Sequence, residues 1–128
     1  VAVVVAAGNS GNAGVSLPGC ISYSTTVGAV DSRDRVASFS GRGNALDIVA
    51  PGVSIYSTVL GSGYASWSGT SMATPMVTGV VALMKYAHPA YRQSTVENKL
   101  FTTAKDLGWF SKDKIYGWGR VRANLAVE

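Results

Sequence analysis

The chain has 128 residues, 47% of them hydrophobic and only 14% charged, with a formal net charge of +4 and one cysteine, Cys20. That length fits one domain with a real core, and a lone thiol excludes an intrachain disulfide framework. No run approaches the ~18 apolar residues of a membrane helix, and the cations at Arg33, Arg35, Arg42, Lys112, Lys114, Arg120 and Arg122 lie in separate loops without the aromatic interleaving of a nucleic-acid surface; neither membrane nor nucleic acid is expected as a partner.

Globular domains average roughly 25% charged residues, so the shortfall here suggests faces covered by something outside the chain. Val1 to Ala7 is an unbroken β-branched and alanine run, the pattern of a central parallel strand covered on both faces. A buried strand at the first residue, without a starting Met, suggests that the natural beginning lies elsewhere. Gly8 to Gly19 is a Gly-, Asn- and Ser-rich loop. Thr25–Val30, Val36–Ser40 and Leu46–Ala50 read as short strands, the last stopped by Pro51-Gly52. Ser54–Leu60 and Gly63–Trp67 read as a hairpin around Gly61-Ser62-Gly63.

From Ser71 to Ala87 the pattern becomes helical and apolar on nearly every side, as for a helix in the middle of a domain. Ser94–Thr103 predicts a second helix with Ser94 as N-cap and Glu97 completing a capping box. Tyr116–Gly119 suggests a tight hairpin, and Val121–Val127 a closing helix. Strands followed by interleaved helices make the chain α/β.

Pro75 fixes where the first helix begins, because proline is tolerated only in or just past the first turn. Ser71 therefore sits at the helix N-terminus, beside unpaired N–H groups and the positive end of the dipole. Such a hydroxyl is well placed to attack a carbonyl, since the developing oxyanion meets donors already in place. Position alone would equally suit an ordinary N-cap serine. Ala73 breaks the G-x-S-x-G elbow of α/β-hydrolases. Gly8, Gly11 and Gly14 lack the spacing of a phosphate loop, and Pro18 precedes any helix.

Read as Gly69-Thr-Ser-Met-Ala-Thr-Pro75, the segment resembles the nucleophile motif of subtilisin-like serine proteases. Val4-Val-Ala-Ala-Gly-Asn9, Val27-Gly-Ala-Val-Asp31, Phe39-Ser40 and Leu46-Asp-Ile-Val-Ala-Pro-Gly-Val53 match the same family in order, over essentially the whole chain. The resemblance implies the C-terminal half of a subtilisin-like catalytic domain over residues 1–128, with a mostly parallel sheet flanked by helices. It implies Ser71 as nucleophile, with its own N–H and the Asn9 side chain forming the oxyanion hole and Thr70 as a weaker donor. Ala6, Ala7, Gly8, Ser16 and Leu17 would wall the pocket for the residue before the cleaved bond, suiting medium or large apolar side chains. Trp67 would border the leaving-group side, and Met72 would be open to oxidation beside the oxyanion hole. Met76 stands where the family usually has His. Secretion and structural calcium are family expectations, with weak cation binding by the carbonyls of Gly19, Ile21 and Ser24.

A serine hydroxyl needs a base. The one histidine, His88, lies seventeen residues on, about 25 Å along a helix rising ~1.5 Å per residue, whereas a base must work at ~3 Å. In the family Asp and His precede Ser, so the expected partner is an N-terminal portion of the same protease carrying both. With it the expected activity is cleavage of peptide or protein substrates through an acyl-enzyme on Ser71. The alternative is an isolated non-catalytic fragment or protein-binding module.

Overall fold

The computed structural model describes all 128 residues. Three β-branched and alanine-rich runs form parallel strands β1 (Val4–Ala6), β2 (Thr25–Val30) and β3 (Ile48–Pro51) in the order β1-β2-β3. Val4 pairs with Thr25 and Val27 with Ile48. β2 is buried along its whole length, and its alternating side chains feed two cores. Val27 and Ala29 join Ile48, Ala50, Ala73, Val77, Val80 and Met84 on one face, while Val30 joins Ala7, Leu46 and Val49 on the other. Burial on both faces is what continuous apolar strands require.

Helix α1 (Thr70–Ala87) packs across the sheet, followed by α2 (Gln93–Thr103) and α3 (Ala123–Val127). A separate antiparallel hairpin, β4 (Ile55–Thr58) and β5 (Tyr64–Trp67), precedes α1; its Tyr56 and Tyr64 rings stack at 5.5 Å.

Several elements differ from the sequence expectation. β1 is three residues long and half-buried, with Val1 and Val3 exposed, because β2 alone pairs with it. Val36–Ser40 forms no strand. It makes a single bridge from Val36 to Val30, and Ser40 turns inward so that its Oγ accepts the Ala29 N–H at 2.9 Å. β3 starts at Ile48; the preceding Asp47 accepts the Thr26 N–H on its carboxylate at 2.9 Å and the Trp118 N–H on its carbonyl at 2.7 Å. Ser94 does not cap α2: the cap is Arg92 and has no side-chain hydrogen bond. Glu97 instead accepts from Thr25 Oγ1 and Gln93 Nε2, each at 3.2 Å, tying α2 to β2. α1 buries one stripe, Thr70, Ala73, Val77, Val80 and Met84. Its other side exposes Met76, Leu83 and Tyr86.

The C-terminal segment is locked to the sheet by charge. Asp34, in the left-handed region at φ 62°, accepts from Arg120 Nη1 at 2.6 Å and Lys105 Nζ at 3.1 Å, two residues that bridge each other. Partial burial pushes its carboxyl up. The hydrogen bonds from Lys105 and Arg120, together with their charges, outweigh that and hold it below the usual carboxylate range. A carboxylate whose pKa is depressed by folding adds stability above its unfolded pKa and loses it as pH falls through the folded value. Asp34→Asn keeps a residue that tolerates positive φ and removes the charge. It should lower the midpoint of thermal unfolding by a few degrees at pH 7, on the order of 1 kcal/mol for exposed pairs. The difference should close as the pH of the melt is lowered below the carboxylate range; a gap unchanged at low pH would show that charge is not the cause.

Candidate active site

The site hangs from the carboxyl ends of the parallel strands, where open α/β sheets place ligands. β1 runs into Ala7, whose N–H still bonds to the Val27 carbonyl at 2.8 Å. The chain then turns at Gly8, at φ +91°, where a Cβ would lie 2.5 Å from Ser16 Oγ. Only glycine fits that conformation and space. β3 leads into Gly52, whose carbonyl accepts the Gly69 N–H at 2.8 Å and so anchors the approach to α1.

Thr70 joins these two strand ends. Its buried hydroxyl accepts the Gly8 N–H at 3.1 Å and donates to Asn9 Oδ1 at 3.0 Å. Its own N–H donates to the same Oδ1 at 3.0 Å. A backbone N–H can only donate, so the atom of Asn9 facing it is the carbonyl oxygen. The amide Nδ2 is thereby turned away from Thr70. In this structure the Thr70 hydroxyl donates its proton to Asn9 and positions that side chain.

Ser71, the second residue of α1, is exposed. Its N–H belongs to the first turn, whose amides have no intrahelical acceptor. The backbone of Gly69 is extended, at φ 162°. A Cβ on it would stand 3.3 Å from Met72 Sδ, 3.6 Å from Asn9 Nδ2 and 3.8 Å from the Ser71 nitrogen. The Asn9 amide nitrogen and the Ser71 nitrogen thus border the same space over residue 69.

Two open clefts meet at Ser71. One, of about 340 Å³, lies between the β4–β5 hairpin and α1 and is walled by Tyr56, Trp67, Met72 and Met76. The other follows α1 past Ala6, Thr74, Thr78, Gly79 and Ala82. Neither is lined by a His, Lys, Arg or carboxylate. His88 stands at the opposite end of α1, with Nε2 2.9 Å from the Val127 carbonyl and its ring stacked on Tyr91 at 4.3 Å. Ser71 has no base within the chain.

Among the expected pocket residues, Ala7, Gly8 and Ser16 come together. The Ser16 N–H bonds to the Ala7 carbonyl at 2.9 Å, and Ala7 is fully buried beneath. Ala6 borders the second cleft beside Ser71. Leu17 is 78% exposed; its bond to Pro18 is cis. Of the expected cation-binding carbonyls, two already accept hydrogen bonds. The Ile21 carbonyl already accepts both the N–H and the hydroxyl of Ser24, at 3.1 and 2.8 Å, and the Gly19 carbonyl accepts Thr26 Oγ1 at 2.5 Å. No cluster of three His, Cys, Asp or Glu side chains that could hold a metal occurs. Tyr56 and Met76 were not expected at the cleft. Met76 lies one helical turn beyond Met72, and that i, i+4 spacing was the available signal.

Comparison with known proteins places this geometry. Residues 1–119 match the Subtilase family. The chain is 47% identical over 127 residues to Subtilisin Savinase of Lederbergia lenta, covering 99% of this chain and 46% of that protein. It is 47% identical to Alkaline elastase YaB of Bacillus sp. (strain YaB), covering 99% of this chain and 33% of the relative. To Subtilisin of Bacillus pumilus it is 41% identical over 132 residues, covering 100% of this chain and 47% of that protein. The chain thus spans a third to a half of the length of these relatives.

Thr70→Val keeps the shape of residue 70 and deletes its hydroxyl, leaving the Gly8 N–H without its acceptor. Chemical denaturation should show a loss of about 1–3 kcal/mol, with Thr70→Ser close to the parent. Equal stability of the Val and Ser variants would mean that the hydroxyl does not hold the strand ends together.

Proposed function

Because the chain belongs to the subtilase family, we propose that it is the C-terminal part of a serine endopeptidase catalytic domain, with Ser71 as the nucleophile. The observation that carries this reading is that Asn9 Nδ2 and the Ser71 nitrogen both border the space over Gly69, at the head of a helix. In this mechanism Ser71 Oγ attacks the carbonyl carbon of a peptide bond. The carbonyl oxygen gains negative charge and moves between the two donors. A base from outside these residues takes the Ser71 proton and passes it to the peptide nitrogen, so that collapse of the tetrahedral species expels the amine and leaves an ester on Ser71, which water then hydrolyses.

The donors are held before substrate arrives, because Thr70 has already oriented Asn9. Preorganised donors stabilise the developing charge without reorganising during the reaction. The missing base is assigned to a segment N-terminal to Val1 that carries the Asp and His. Ser71 is exposed to receive it, and the clefts beside Ser71 contain no competing cation or carboxylate. The leaving side of the substrate would run along Trp67 and Met72. The Gly8–Ser16 contact supports a wall for an apolar residue before the cleaved bond. Secretion, and structural calcium in the complete protease, are further parts of this proposal. The residues of this chain supply no carboxylate cage for the ion.

In the complete protease, Ser71→Ala should abolish peptidase activity. Asn9→Ala should lower kcat about 10²–10³-fold with little change in KM, the magnitude established for the corresponding donor in subtilisin. A change confined to KM would remove Asn9 from the oxyanion hole. A fluorophosphonate should label Ser71 stoichiometrically with the N-terminal segment present and only in trace without it. No labelling in the complete chain would favour the alternative, a non-catalytic module of subtilase origin.

A further inference from the structure

Outside the cleft at Ser71, a second concavity of about 510 Å³ is lined by Asn12, Arg42, Gly43, Trp109, Asp113, Lys114 and Ile115. Arg42 in its wall pairs with no carboxylate, since the four ion pairs of the chain use Arg35, Lys105, Lys112 and Arg120. Its guanidinium makes one hydrogen bond, from Nη1 to Asn12 Oδ1 at 3.0 Å, and its Nε is buried without any partner. Buried polar groups normally find partners, so the buried, unpartnered Nε of Arg42 is unusual. Because Asn12 spends its oxygen on Arg42, its amide nitrogen remains a donor. Lys114 is exposed and has no side-chain partner either; its carbonyl holds the Gly43 N–H at 2.9 Å.

Asp113 is the one carboxylate in the wall, and it is turned inward. Its Oδ1 accepts the Ile115 and Tyr116 N–H groups at 2.8 and 2.7 Å. Its Oδ2 is buried, 3.0 Å from where a Cβ on Gly108 would lie. Arg42 and Lys114 against Asp113 leave one positive charge in excess. Across the opening stands Trp109, 80% exposed. Its loop is held by the Asp106 carboxylate, which accepts the Ser111 N–H at 2.8 Å. An indole face and Ile115 thus border a cationic fork.

We propose that this cleft binds a monoanionic carboxylate carried on an aromatic or apolar body, separately from the chemistry at Ser71. A carboxylate matches the planar donor fork of Arg42, Lys114 and the Asn12 amide add donors, and Trp109 takes the apolar body. The single excess charge and the inward Asp113 select against a dianion such as phosphate. The source is either a free aryl acid or an acidic residue beside an aromatic one in a bound peptide.

The test uses the complete natural chain carrying Ser71→Ala, so that no peptide is consumed, and reads amide and indole shifts by NMR. Benzoate should saturate the signals of Arg42, Gly43 and the Trp109 indole with a Kd on the order of 1–10 mM, while benzamide and inorganic phosphate should not saturate them. Arg42→Gln should weaken benzoate binding ~10-fold or more, the effect of losing a charge-assisted hydrogen bond. Lys114→Gln, at an exposed position that folding does not need, should weaken it ~3-fold. Saturation by N-acetyl-Phe-Glu-amide as well would assign the source to peptide, and saturation by benzoate alone to the free acid. Failure of both ligands to saturate, tighter binding of phosphate or benzamide, or indifference to both substitutions would overturn the proposal. Ser71 plays no part in these readouts, so the result is independent of the peptidase reading.

Discussion

Everything at the site depends on one knot of hydrogen bonds, in which Thr70 grips Gly8 and Asn9 from 62 and 61 residues away. Each such bond contributes only about 0.5–1.5 kcal/mol net, yet the knot decides geometry out of proportion to that. It binds the loop leaving β1 to the first turn of α1, and it settles which end of the Asn9 amide is free. An exposed asparagine on a glycine-rich loop would otherwise sample many rotamers, and ordering it during a reaction would add to the barrier. Here the cost of ordering is met on folding.

The sheet makes that knot possible. Parallel strands bring their carboxyl ends to one edge, and β2, buried on both faces, holds β1 and β3 in register. Gly52 continues β3 and fixes Gly69, so the backbone entering α1 is positioned from the sheet as well as from the helix. The helix commits its other side to the core through a stripe of five buried residues. Ser71 is left exposed where two clefts meet. Rigid support behind and open space in front are what nucleophilic catalysis requires of a scaffold.

Much of this was legible in the residues. The α/β class, the β2 and hairpin segments, and the helix starting near Ser71 follow from β-branching, Gly-Ser-Gly punctuation and the single constraint of Pro75. These signals act within a few residues, so they survive without knowledge of the rest of the chain. The same holds for the failure of His88 as a base, which needs only the rise of a helix. Less was legible where a polar group had a choice of partners. The pattern Ser94-x-x-Glu97 has the form of a capping box, but Glu97 bonds to Thr25, 72 residues away in sequence. Val36–Ser40 alternates like a strand, but Ser40 is drawn in to satisfy the Ala29 N–H.

By itself the sequence determined the family resemblance, the place of Ser71 at a helix N-terminus and the distance that separates it from the one histidine, because residue identity and local backbone limits suffice for each. Only the tertiary structure decided that Thr70 orients Asn9, that β1 is half-buried in this chain, and that Arg42 and Lys114 share a cleft with Trp109. Those facts depend on which groups meet across long stretches of chain, and a hydrogen bond carries no mark of its partner until the fold brings the two together.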